Sequence, residues 1–106
     1  MNVTSRVDMG ANAEMAASCL RALSNPSRLL ILCLLVDGEK TVGEIEKELG
    51  LSQAYVSQQL ARLRAEAIVA AERDGRLVRY RISDERIAPV IEVLYRQYCE
   101  GGLGEA

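Results

Sequence analysis

The sequence predicts a mainly α fold of about five helices carrying one β-hairpin. Three observations predict it: two helical segments meet across Gly50-Leu51-Ser52, an Asp74-Gly75 pair parts two β-prone runs, and apolar helical segments lie on either side of this unit. At 106 residues, with 49% apolar and 26% charged residues, the chain has the size and composition of one folded domain.

Residues 1–10 are polar, lack the apolar stretch of a secretory signal and are expected to be a flexible N-terminus. From Ala11 to Leu23 the chain is rich in helix formers and free of Gly and Pro, which predicts the first helix. Asn25 then offers a cap, and Pro26 fits a first helical turn because its missing N–H has no partner to lose. The run Arg28 to Val36 is apolar on every side, so it is read as a core helix buried all round and ended by Gly38.

Thr41-Val42-Gly43-Glu44 has capping-box spacing, and the helix it starts runs to Leu49 with Ile45 and Leu49 facing inward. Gly50 stops it where a left-handed residue is wanted. Ser52 caps the next helix, whose buried stripe is Val56, Leu60, Leu63 and Ala67. The opposite side carries Ala54, Tyr55, Ser57, Gln58, Ala61 and Arg62, with Gln53 and Gln59 at its flanks. Small and amide side chains suit entry into a major groove, where Gln pairs with adenine edges and Arg with guanine. Tyr55 is placed to stack on a sugar or touch a thymine methyl.

After Ala67 the period changes. Ile68 to Arg73 and Arg76 to Ile82 flank Asp74-Gly75, a strong hairpin signal. In the second run Val78, Tyr80 and Ile82 alternate with Leu77, Arg79 and Arg81, so one face packs and the other presents guanidinium groups. A helix-turn-helix followed by a basic hairpin is a winged helix, with the hairpin reaching the backbone or minor groove beside the helix's site. A last helix is expected from Ser83 to about Glu100, with a short turn at residues 84–87 and a proper start near Pro89. Its apolar surface exceeds what so small a domain covers, which points to a partner subunit. Residues 11–100 form the DNA-binding and dimerisation domain, and residues 101–106 a flexible tail.

The net charge is −2, yet residues 53–81 hold six arginines against three acids, while residues 37–50 hold five acids against two lysines. A localised arginine-rich segment is the footprint of a nucleic-acid partner. His, Trp and Phe are absent, so no imidazole base, His-paired nucleophile or imidazole metal site can be built. No enzyme activity and no cofactor are expected. The longest apolar run, Leu29 to Val36, is far below the roughly 18–20 residues of a membrane span, so a cytoplasmic protein with no membrane partner is expected. Three cysteines in a reducing compartment are read as buried thiols, metal ligands or redox-active groups.

Residues 20–29 (Leu-Arg-Ala-Leu-Ser-Asn-Pro-Ser-Arg-Leu), with Val-Gly-Glu-Ile at 42–45, Leu-Ser-Gln at 51–53, Val-Ser-Gln-Gln-Leu-Ala-Arg-Leu-Arg at 56–64 and Gly-Arg-Leu-Val-Arg-Tyr-Arg-Ile at 75–82, resemble the ArsR–SmtB family of winged-helix repressors. The resemblance spans about Ala13 to Cys99. Gln59 stands where many members have His, and Ala54 where Ser or Thr is common. It implies a homodimer built from the first and last helices, bound to an imperfect inverted repeat in double-stranded DNA and released by an inducer. The expected DNA-binding residues are Ser52, Gln53, Ala54, Tyr55, Ser57, Gln58, Gln59, Arg62, Arg76 and Arg79.

Neither the Cys-x-Cys of the third helix nor the His and carboxylate ligands of metal-sensing members are present, and no metal site is expected. Cys33 and Cys99 instead resemble the paired cysteines of a subgroup that responds to persulfides and polysulfides. That likeness implies a sulfur bridge between Cys33 and Cys99 that biases the dimer away from its DNA-binding shape. A direct disulfide needs Cα atoms within about 7 Å, whereas inserted sulfur atoms permit a wider gap. Cys19 has no counterpart and is read as packing. The rival readings are a thiophilic ion such as trivalent arsenic, a peroxide-driven disulfide, and a dimerisation module that binds no DNA.

Overall fold

The computed structural model describes residues 3–99, with side chains from Met9 onward. Helix α1 runs Val3–Leu23 and therefore begins well before the expected start at Ala11, because no proline interrupts residues 3–10 and an isolated Gly10 is tolerated once a helix is nucleated. The expected tail at residues 101–106 lies outside the described residues.

Helix α2, Pro26–Val36, leaves α1 at 97°. Asn25 caps it in an extended conformation, its Oδ1 accepting from the Arg28 N–H at 3.0 Å, with Pro26 at the first helical position. Ile31, Leu32 and Leu35 are buried, but Leu30 is 51% exposed, so the core helix is not covered on every side. No element among the described residues covers that side.

Helix α3, Val42–Leu49, starts with the expected capping box: Thr41 Oγ1 accepts from the Glu44 N–H at 3.2 Å, and Glu44 Oε1 accepts from the Thr41 N–H at 2.8 Å. Gly50 ends it at φ 67°, a left-handed position that L side chains rarely adopt. Helix α4, Gln53–Ala65, follows after the Ser52 cap. Val56, Leu60 and Leu63 form its buried stripe and meet Ile31, Leu32, Ile45, Ile68 and Ile87 in one core. Each such side chain contributes about 1.5–3 kcal/mol by leaving water.

Ala67, expected in that stripe, is exposed and lies beyond the helix at φ 59°. Its N–H donates to Arg64 O and that of Ile68 donates to Leu63 O, the paired bonds of a Schellman end, with Ile68 and Leu63 both buried. The helix thus ends at Ala65, short of the Ala67 that its apolar spacing suggests.

Strands β2, Val69–Asp74, and β3, Leu77–Ile82, form the hairpin, and a third strand, β1 at Lys40–Thr41, pairs antiparallel with β3 to give the order β1-β3-β2. Asp74 pairs with Leu77, so the two-residue loop is Gly75-Arg76, one position later than expected. Only Gly75 has positive φ, at 66°, which places glycine at the first loop position as in a type II′ turn. Helix α5, Ile87–Tyr98, begins after a turn in which Asp84 accepts from both the backbone and the guanidinium of Arg86. Pro89 sits in its first turn, and Ile87 and Ile91 anchor it on α2. Val90, Val93, Tyr95 and Tyr98 remain exposed.

Candidate nucleic-acid interface and thiol pair

Helix α4 presents three distinct sides. Opposite its core stripe, Gln53, Ala54, Ser57, Gln58 and Arg62 are all exposed, a polar surface with no acidic residue. Ser52 is exposed at the N-terminus, but its Oγ is engaged as the cap, accepting from the Tyr55 N–H at 3.2 Å. Tyr55 and Gln59 depart from the expected surface. Tyr55 is half-buried with its hydroxyl 3.2 Å from Ser27 Oγ, and Gln59 is 8% exposed with Oε1 accepting from Arg28 Nη1 at 2.9 Å. Helical position alone could not separate these two from the outer side, because their partners lie about thirty residues away on α2.

Beside this surface the wing carries Arg76 exposed at its tip and Arg79 half-buried on β3. Arg79 Nε lies 4.0 Å from Asp74 Oδ2, a long surface pair of little energetic weight, so its charge stays available to a phosphate. The pairing of Thr41 with Arg79 joins the cap of α3 to the wing, a link carried by a two-residue strand that no sequence pattern marks.

Two of the thiols, Cys33 and Cys99, belong to the packed pair α2 and α5. Cys33 is half-buried in α2 and borders a groove of about 470 Å³ between α2 and α5, lined also by Val36, Asp37, Ile91, Glu92, Tyr95 and Arg96. Cys99 is exposed at the end of α5, its N–H donating to Tyr95 O at 2.8 Å. Burial pushes the Cys33 thiol up from its ordinary pKa, and the negative charges of Cys99 and Asp37 push it further. The packing of α5 on α2 joins the helices that carry Cys33 and end at Cys99, although 66 positions separate the two thiols in the chain. Cys19 is half-buried between α1 and the Asp84 turn; burial raises its pKa, Asp84 adds to this, Arg86 opposes it and Glu66 adds again. Among the described residues, no three His, Cys, Asp or Glu side chains converge to hold a metal ion. Among them too, no single helix is long and apolar enough to cross a membrane.

A helix-turn-helix with a polar outer side and a basic hairpin alongside defines a winged-helix DNA-binding domain. The family model for the bacterial regulatory protein, arsR family, matches residues 25–71, from the cap of α2 into the first wing strand. The chain is 39% identical over 94 residues to the biofilm growth-associated repressor of Xylella fastidiosa, spanning 89% of this chain and 82% of that protein. The crystal structure of the Xylella fastidiosa repressor BigR superposes with a TM-score of 0.84, at 39% identity over 89% of this chain and 96% of that one. The transcriptional activator HlyU of Vibrio cholerae is 40% identical over 93 residues, 88% of this chain and 86% of that protein, and the structure of reduced HlyU matches at TM-score 0.81, covering 87% and 97%. The homodimeric winged helix-turn-helix domain Mb0332 from Mycobacterium bovis matches at TM-score 0.72 and 33% identity, covering 80% and 79%. The chain belongs to the arsR family: it is a DNA-binding transcriptional regulator and not an enzyme.

Proposed function

We propose that the protein is a cytoplasmic homodimeric repressor that reads reactive sulfur species through Cys33 and Cys99 and releases an inverted-repeat operator when they are bridged. The observation that carries this reading is the placement of half-buried Cys33 on α2 at its groove with α5, the helix that ends at exposed Cys99. A bridge there would tie α2, which packs on α4, to α5. The exposed apolar residues Met15 and Leu20 on α1 and Val93 and Tyr98 on α5 support a second copy as their cover, in line with the homodimeric Mycobacterium bovis relative. On DNA, the outer side of α4 reads base edges through Gln53, Ala54, Ser57, Gln58 and Arg62, and Arg76 and Arg79 hold the backbone or minor groove.

The chemistry is thiol exchange. The Cys99 thiolate attacks an outer sulfur of the central chain of an organic polysulfide, breaking one S–S bond and expelling a thiolate. The Cys33 thiolate then attacks the sulfur chain now held on Cys99, breaking a second S–S bond and expelling a second thiolate. The two cysteines are oxidised, the donor is reduced to two thiols, and the protons lost by the cysteines are taken up by the thiolates. At least one donor sulfur stays in the bridge.

The test is intact-protein mass spectrometry with an operator-release assay after polysulfide, peroxide or arsenite treatment. A direct disulfide loses about 2 Da and each inserted sulfur adds about 32 Da, so an inserted-sulfur series joining Cys33 to Cys99 is expected after polysulfide. Cys33→Ser and Cys99→Ser should each bind the operator as the wild type does yet fail to release it. Release that survives either replacement overturns the reading, and release with only a disulfide or a metal adduct assigns another inducer.

A further inference from the structure

Polar side chains hold the recognition helix along a side that its apolar stripe does not explain. Tyr55, Gln59 and Glu66 fall at i, i+4 and i+11, on one side of α4 and its cap. Tyr55 meets Ser27, Gln59 accepts from Arg28, and Glu66 Oε1 accepts from Ser18 Oγ at 2.9 Å, so every tie leads to α1 or to the first turn of α2.

The middle tie differs from the others because Gln59 is the one buried polar residue among the described residues and Arg28 stands where α1 and α2 meet at 97°. The Arg28 N–H is held by Asn25 Oδ1, its Nε–H donates to Ala22 O, and Nη2 lies 3.5 Å from Arg21 O. One guanidinium thus caps the last carbonyls of α1, where a cation is favoured, and reaches across to α4. Its planar fork has fixed directions. Rotation or sliding of α4 relative to the α1–α2 corner would break a partly buried hydrogen bond.

We propose that Arg28 and Gln59 are positioning residues for operator recognition: their partly buried bridge sets the angle at which Gln53, Ala54, Ser57 and Gln58 meet a major groove, and neither side chain touches DNA. The inference rests on the DNA-binding role of the family and holds whatever inducer the thiols answer to. It separates sequence readout, which depends on that angle, from phosphate binding, which depends on the exposed arginines.

The experiment measures binding of the full chain to two duplexes of equal length, one enriched by the wild type from a randomised pool and one scrambled. Arg28→Leu and Gln59→Leu are each expected to weaken the enriched duplex by about tenfold, the scale of one lost charge-assisted hydrogen bond, while the scrambled duplex changes by less than about twofold. The salt slope stays that of the wild type, and the double variant binds no worse than the weaker single one. Gln59→Glu, which still accepts from Arg28, restores binding. Should Arg28→Leu fail to fold by circular dichroism, Arg28→Lys keeps the charge but loses the fork, and the same selective loss is expected of it. Equal losses on both duplexes, additive losses in the double variant, or Arg28 variants that bind normally while Gln59→Leu shifts the preferred base would each overturn the proposal.

Discussion

Thr41 and Arg79 sit opposite one another across β1 and β3, and the same Thr41 caps α3. One residue therefore ties the first helix of the helix-turn-helix to the wing, because β1 pairs directly with β3, the wing strand that carries Arg79.

That cap is pH-dependent. The Thr41 N–H bonded to Glu44 holds the Glu44 carboxyl below its usual pKa; desolvation opposes it as the next-largest cause, and the Thr41 hydroxyl, Arg79 and Lys40 add to the lowering. A carboxylate with a lowered folded pKa stabilises fully above its unfolded value, about 4.3, and loses that contribution as pH falls through the lower folded one. Urea midpoints of wild type and Glu44→Gln should differ at pH 7 and converge as the pH drops below about 4. A constant difference across that range would contradict a pH-dependent cap.

The thiols should differ in reactivity. Cys99 is exposed, whereas burial first, then Cys99 and Asp37, raise the Cys33 pKa. With iodoacetamide near neutral pH, Cys99 should be alkylated at least roughly tenfold faster than Cys33, since the thiolate is the nucleophile. Peptide mapping over time reads the order. Blocking Cys99 with this uncharged group should lower the Cys33 pKa part of the way, because its charged neighbour is gone.

The wing arginines should govern salt dependence. Arg76→Ala and Arg79→Ala are each expected to weaken matched and scrambled duplexes alike and to flatten the slope of log affinity against log salt by about 0.9 for each phosphate left without its arginine. Anisotropy titrations at several salt concentrations measure it. An unchanged slope in both variants would remove the wing from the interface.

Much of this architecture is legible in the residues themselves. The Thr41 capping box, Gly50, the Ser52 cap and the alternation along β3 are local features, and local chemistry decides them. The departures have distant causes. Gln59 turns inward because Arg28 is there to meet it, Leu30 stays bare because nothing among the described residues covers it, and β1 is too short to carry a period. Of the expected DNA-facing set, Gln53, Ala54, Ser57, Gln58, Arg62 and Arg76 stand exposed, while Tyr55 and Gln59 serve the scaffold.

The Schellman end at Ala67 leaves no slack between recognition helix and wing. A residue inserted between Ala67 and Val69 would turn every following side chain of β2 to the opposite face of the sheet, driving Val69 out of the core. The same insertion beside Gly75 would only lengthen an exposed tip. Length variation in this lineage is therefore tolerable at the end of the wing and ruinous at its root.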